Sequence, residues 1–234
     1  NFEGLNQISV GLLSCGVTSF LPTTLTSSIE SLNNVVEMIG ANYKKVQGAK
    51  IKGIFLEGPF FTEKHKGAQN TKYFCDPSVD MLKGWQKLSN DSIKKIAIAP
   101  ERKGAAEFLE YAVGEEIIVA LAHSDATYEE AKQASEKGAS VFVHTFNGMS
   151  PLHHREPGMV GAAMNLKDVF TEIICDGHHV HPVALNILMN VRGREEVVMV
   201  SDCMMAGGMT EGTYQLGEFP VKVKGGMARL ESGS

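Results

Sequence analysis

No run of eighteen apolar residues occurs in the chain, so no segment is expected to cross a membrane. Basic runs are missing too. With 22 Lys and Arg against 27 Asp and Glu the net charge is -5, which argues against a nucleic-acid surface or a polybasic membrane anchor. The four cysteines, Cys15, Cys75, Cys175 and Cys203, are widely spaced and form no CxxC pair. Neither a disulfide framework nor a zinc ribbon is suggested, and reduced thiols in a cytoplasm are expected. Internal repeats and low-complexity tracts are likewise absent. The chain opens on Asn1-Phe2-Glu3-Gly4, without an initiator Met and without a charged start leading into an apolar run, so no export signal is read. That opening, with the end at Glu231-Ser232-Gly233-Ser234, reads as two cuts from a longer protein. What is present is 234 residues, 43% of them hydrophobic, enough to bury one large core. The expected partner is a small molecule.

Short β-branched or apolar runs recur between longer stretches of helical spacing, the pattern of a parallel sheet with crossover helices. Seven runs are read: Gly16 to Leu21, Ile51 to Leu56, Lys95 to Ala99, Glu116 to Ala122, Ser140 to His144, Val169 to Cys175 and Val197 to Ser201. Helices are expected over Ser27 to Met38 and over Thr127 to Lys137, the second opened by Ser124-Asp125 and closed by Gly138. Seven strand-helix units fit a (β/α)8 TIM-type barrel that is incomplete, with strands 2 to 8 present and the first strand missing. A doubly wound open sheet is the alternative. An open sheet gathers its chemistry near one switch point, whereas here Glu57, Glu101, His123, His144, Asp176 and Asp202 each stand at or just past the end of a run. The barrel is therefore preferred. It is expected over residues 1–210, followed at 211–234 by a β-rich segment of hairpin character.

Three of the strand-end residues suggest a metal. Glu57 precedes Gly58-Pro59, where the chain must turn, while His123 and His144 close consecutive apolar runs. One carboxylate and two imidazoles are a common ligand set for a catalytic divalent ion that keeps a position open for water. Any one of them alone is better explained as a capped or solvent-facing side chain. Asp202 ends the last run and could serve as the base beside such an ion, although without that context a helix N-cap explains it as well.

The motifs LEGPF (Leu56 to Phe60), AHSDAT (Ala122 to Thr127), VHTFNGM (Val143 to Met149), REPG (Arg155 to Gly158), CDGHH (Cys175 to His179) and VSDCM (Val200 to Met204) occur in this order. Together they resemble the N-acetylglucosamine-6-phosphate deacetylases, a family of the metal-containing amidohydrolase barrels. The resemblance runs from about Gly16 to Asp202. It implies hydrolysis of the acetamide of N-acetylglucosamine 6-phosphate in amino-sugar catabolism, with Glu57, His123 and His144 as metal ligands and Asp202 as catalytic acid/base. It further implies substrate contacts from Ala68, Asn147 and Gly148, a phosphate-binding Arg155, and a sugar-phosphate segment of Asp176, Gly177, His178 and His179. Where many members carry a histidine that polarises the acetyl carbonyl, this chain has Gln69, which donates a hydrogen bond but carries no proton. Zinc is the first expectation for the metal, then iron, cobalt or manganese, one or two ions per subunit. A homodimer is implied, since part of the family's phosphate site comes from a neighbouring subunit; the small β domain built from both chain ends is largely missing. Two other readings remain: a dihydroorotase- or deaminase-like amidohydrolase, and a non-catalytic sugar-phosphate-binding protein. His65 with Lys64 and Lys66 is read as a solvated loop, His153 and His154 as a surface pair, His181 as structural, and Glu101 as a residue that supports the ligands from behind or packs, not a ligand itself.

Overall fold

The structure is a computed structural model that describes residues 1–230. In chain order its elements are α1 (Phe2–Ser14), β1 (Ser19–Phe20), β2 (Thr23–Thr24), α2 (Ile29–Asn42), β3 (Lys50–Ile51), β4 (Ile54–Glu57), α3 (Val79–Leu88), β5 (Ile93–Ile98), α4 (Ala105–Gly114) and β6 (Ile118–Leu121). Then follow α5 (Tyr128–Glu136), β7 (Val141–Phe142), α6 (Gly158–Asn165), β8 (Phe170–Ile174), α7 (Pro182–Arg192), β9 (Val197–Val200), β10 (Gly212–Leu216), β11 (Phe219–Lys224) and β12 (Met227–Leu230). Seven strands form one all-parallel sheet in the order β2-β4-β5-β6-β7-β8-β9, most of them linked by helices. This is the incomplete TIM-type barrel expected from the alternation of runs.

Side-chain alternation assigns the two faces of that sheet. Ile54, Leu56, Ile96, Ile98, Val119, Leu121 and Phe142 point outward into one cluster with Leu32, Val36 and Ile39 of α2, Leu82 and Trp85 of α3, and Phe108 of α4. The intervening residues Phe55, Ala97, Ala120 and Val141 face the concave side. Glu57 stands two residues after Phe55 and therefore shares that inner face. So do Lys95 and Glu172, whose side chains form an ion pair although β6 and β7 separate their strands. In a flat sheet three strand intervals of about 4.8 Å would hold the two backbones roughly 14 Å apart. Their contact requires the sheet to curl.

Several boundaries differ from expectation. The first run, Gly16 to Leu21, contributes β1, which pairs with β3 in a separate two-stranded sheet; the barrel strand is β2, a little farther on. Proline at position 22 has no N–H to give a ladder, and the chain passes from one sheet to the other across it. The run Ile51 to Leu56 divides at Lys52-Gly53, with Gly53 at φ 147, into β3 and β4. Helix α5 is capped by Thr127, not by Ser124-Asp125. Thr127 accepts from the Glu130 N–H while Glu130 accepts from the Thr127 N–H, a reciprocal cap. After β9, β10, β11 and β12 form a three-stranded antiparallel sheet; the end of the expected β-rich segment, 231–234, lies outside the described residues. Its β10–β11 turn is pinned to the body by Glu218, which accepts from Tyr73 Oη at 2.6 Å and Asn70 Nδ2 at 2.8 Å.

Candidate metal centre and active site

At one end of the curled sheet the chain leaves β6, β7 and β9 through a residue with unusual backbone geometry. His123 (φ 45), His144 (φ 31) and Asp202 (φ 46) all lie in the left-handed region, which ordinary residues avoid. Such conformations persist only where the surroundings hold them, and they concentrate at functional sites. Here they swing two imidazoles over the rim toward the Glu57 carboxylate. His123 Nε2 lies 3.2 Å and His144 Nε2 3.5 Å from Glu57 Oε1. One ligand atom from each of the three lies within 4.8 Å of the others, and all three residues are buried.

The far side of each ring decides which atoms face inward. His123 Nδ1 donates to the His65 carbonyl at 2.9 Å and His144 Nδ1 donates to the Asn147 carbonyl at 3.1 Å. A carbonyl can only accept, so both Nδ1 atoms carry hydrogen, and in their neutral form the rings turn bare Nε2 lone pairs on a carboxylate oxygen. Acceptors meeting acceptors at such distances require a positive charge among them, a proton on an imidazole or a bound cation. A tetrahedral cation with bonds of about 2.0–2.1 Å to nitrogen and oxygen sets its ligands about 3.3 Å apart, close to the 3.2 and 3.5 Å that separate the two imidazoles from Glu57. The donor set and its separations therefore fit a divalent metal.

Electrostatics agree. Burial alone would raise the Glu57 pKa, yet hydrogen bonding to His123 and His144 and their charge hold it well below the usual carboxylate range. Burial works against a charged His144, but the hydrogen bond with Glu57 and the charges of Glu57 and Asp202 outweigh it and push His144 up to about 9. The cluster attracts positive charge. Asp202 is exposed as a residue, while its carboxyl is within electrostatic reach of Glu57, His144, His123 and His179; the protein around it, then the Glu57 charge, raises its pKa.

Gln69 is buried beside this cluster. Its Oε1 accepts from the Thr26 backbone N–H at 2.9 Å, which fixes the amide orientation, and its Nε2 donates to Glu57 Oε1 at 3.2 Å. Gly148, at φ 62, packs against the His123 ring: a Cβ there would lie 2.7 Å from Nδ1. Ala68 and Asn147 are half-buried next to these residues. The remaining expected residues are on open loops. Arg155 is exposed, with its backbone N–H on His153 Nδ1. Asp176 accepts from the His178 and His179 backbone N–H groups and from His179 Nδ1 at 2.7 Å; burial opposes these bonds, which nevertheless hold the Asp176 pKa at about 2. Gly177, at φ 78, completes that turn.

Lys64 and Lys66 are exposed, as a solvated loop requires, but His65 is half-buried; His65 and Lys64 are also held by a partner. Both pair with Asp125, at 3.0 and 2.8 Å, and the His65 carbonyl anchors His123. His181 caps α7, and His153 and His154 are an exposed pair as expected. The residues that reading by motif overlooked are Thr26, Asp125 and the backbone of His65, which act on ligands and not on substrate. Asp125 and Glu101 did carry a signal, since each follows a strand end on the same rim.

No protein-family model matches the sequence. Individual relatives do. The chain is 40% identical over 232 residues to an N-acetylglucosamine-6-phosphate deacetylase from Vibrio furnissii, covering 99% of this chain and 58% of the relative. It is 37% identical over 219 residues to an N-acetylgalactosamine-6-phosphate deacetylase from Escherichia coli O157:H7, covering 93% of this chain and again 58% of the relative. The chain thus spans somewhat under two thirds of the curated relatives it matches. Among solved structures, a Mycobacterium smegmatis N-acetyl-D-glucosamine-6-phosphate deacetylase variant in complex with N-acetyl-D-glucosamine-6-phosphate superposes with a TM-score of 0.88 at 31% identity, over 92% of this chain and 55% of that one. In sequence and in backbone, nearly the whole of this chain is similar to N-acetylglucosamine-6-phosphate deacetylases.

Proposed function

We propose that the protein hydrolyses the acetamide of N-acetylglucosamine 6-phosphate to glucosamine 6-phosphate and acetate. The observation that carries this reading is the meeting of Glu57, His123 and His144 around one point, next to Asp202, in a chain whose relatives bear that name. Glu57 and the two Nε2 atoms would hold a divalent metal, zinc in the first instance, with iron, cobalt or manganese as alternatives and one or two ions per subunit. A divalent ion there supplies Lewis acidity, which makes water nucleophilic near neutral pH.

The chain's own residues do the rest. Asp202 takes a proton from the attacking water as its oxygen bonds to the amide carbon, then delivers that proton to the glucosamine nitrogen as the C–N bond breaks. Its raised pKa suits a group that must both accept and return a proton. Gln69 spends one of its two amide hydrogens on Glu57 and has the second to offer the acetyl oxygen as it gains charge. Ala68, Asn147 and Gly148 border the sugar, and Arg155 with Asp176, Gly177, His178 and His179 holds the phosphate, where a guanidinium matches phosphate oxygens. Their binding energy orients the amide for attack. The protein works as a homodimer in the cytoplasm, with residues 1–210 as the barrel and 211–234 as a β segment appended to it.

The Escherichia coli relative favours a second reading, the galactosamine epimer as substrate. Acetate release by the metal-loaded protein, measured on both phosphorylated epimers and on unphosphorylated N-acetylglucosamine, separates the possibilities. The glucosamine phosphate is expected to react at least about tenfold faster than the others, a difference of about 1.4 kcal/mol in barrier. Equal rates without phosphate would overturn the phosphate assignment, and ligand binding without acetate would point to a binding protein.

A further inference from the structure

Glu101 lies just past the end of β5, on the same rim as the metal cluster but not in it. Its half-buried carboxylate accepts three hydrogen bonds. Thr62 Oγ1 donates to Oε1 at 2.6 Å, the Asp125 backbone N–H to the same oxygen at 2.7 Å, and Ser124 Oγ to Oε2 at 2.7 Å. One donor belongs to the loop that follows Glu57 and two to the turn that follows His123. Between these segments the Thr62 N–H also reaches the His123 carbonyl at 3.0 Å, and Asp125 grips Lys64 and His65. The product of the stapling is one contact, that of the His65 carbonyl with His123 Nδ1 at 2.9 Å.

We propose that Glu101 is a positioning residue that fixes the tautomer of His123. By fastening the 62–65 loop to the 123–125 turn, it presents the His65 carbonyl to Nδ1 and leaves Nε2 bare and aimed at Glu57. A neutral imidazole released from that carbonyl can move its hydrogen to Nε2, the atom that must offer a lone pair. Partners of this outer kind commonly change metal affinity by about 10–100-fold when removed. The backbone of residues 62–65 is the intermediary, so the effect passes from a carboxylate to a ring that it never touches. Gly67 and Gly148 make room for the ring where it lies: a Cβ at either would come within 3.2 Å or less of His123.

The inference deepens the metal reading of the site, and its test does not depend on that reading alone. Full-chain protein with 15N-labelled histidine is prepared as parent, Glu101→Ala and Glu101→Gln, with Asp125→Asn as a second way to loosen the loop. In the metal-free proteins at alkaline pH, the 15N shifts of His123 report which nitrogen carries hydrogen. The parent is expected to show Nδ1–H alone, and Glu101→Ala and Asp125→Asn a mixture. Glu101→Gln, which keeps two of the three acceptor contacts, should lie nearer the parent. Zinc affinity by chelator competition is expected to fall about 10–100-fold in Glu101→Ala. A soluble, folded Glu101→Ala protein with the parent tautomer and parent zinc affinity overturns the proposal. Should Glu101→Ala not fold, an unmixed His123 tautomer in Asp125→Asn overturns it equally. A parent that binds no zinc would sink the metal reading, while the metal-free spectra still decide the role of Glu101.

Discussion

At the residue scale the proposed chemistry would rest on a division of labour between carboxylates. Glu57 is driven to stay ionised by two imidazoles, whereas Asp202 is drawn toward protonation by its surroundings and by the Glu57 charge. Two carboxylates whose environments push them apart suit a ligand and a proton carrier respectively. Replacing Asp202 with Asn keeps shape and polarity but removes the proton exchange. General acid–base groups contribute about 10²–10⁴-fold, and a fall of that size in kcat for acetate release is expected. Zinc content should be unchanged, since Asp202 is outside the ligand cluster. A variant with parent turnover and full metal would remove Asp202 from the mechanism. The strand-end positions of Glu57, His123, His144 and Asp202 were legible in the sequence, while their roles came from taking them together and from the resemblance. The role of Gly148 was not legible: what requires glycine is a left-handed φ and the ring of His123 packed on it, a contact made by a residue 25 positions away. Nor could Gln69 be understood from its neighbours, because the Thr26 N–H that orients it belongs to another strand end.

Elements were easier to locate than to bound. The α5 pattern is visible in the sequence, and so is a polar cluster in front of it, but two candidates for the cap compete there. Ser124 does bond locally, taking the Ala126 N–H at 3.0 Å, yet its own hydrogen goes to Glu101 and the turn it makes belongs to the metal rim. Thr127 opens the helix. Its hydroxyl satisfies one of the first-turn N–H groups that have no partner within the helix. Thr127→Ala should cost about 1 kcal/mol in unfolding free energy, read from urea denaturation, with zinc affinity preserved. Ser124→Ala, by contrast, should weaken zinc binding through Glu101. If the two substitutions behaved alike, cap and rim would not be separate features. The displaced first strand has a similar lesson, since local hydrophobicity reports that a segment is buried in a sheet and not which sheet it joins. Between β1 and β2 the deciding feature is Pro22, whose missing N–H is a backbone property.

For the whole molecule the informative contact is the pair of Lys95 and Glu172. Alternation in the sequence predicts a parallel sheet but not its curvature, because the spacing of apolar runs is the same in a flat sheet and in a barrel. Two charged residues on inward positions of β5 and β8 could have been taken for errors in the strand assignment. They are instead partners across the concave face, both largely buried, with the Lys95 ammonium 4.1 Å from the Phe55 ring centroid. Removing one partner of such a pair leaves an uncompensated charge away from water, at a cost of about 3–5 kcal/mol. Replacing both with apolar residues of similar size is often close to neutral. Lys95→Met is therefore expected to lower stability by about that amount in urea denaturation, and Lys95→Met with Glu172→Met to recover most of it. The consequence reaches the metal site, because the Glu172 backbone carbonyl accepts from the Thr145 N–H at 2.7 Å, directly after His144. A strained β8 in the single variant should thus also weaken zinc binding, and the double variant should restore it. Equal losses in the two variants would mean that the curl is held by the packing of Phe55, Ala97, Ala120 and Val141, with the ion pair only filling the space that they leave.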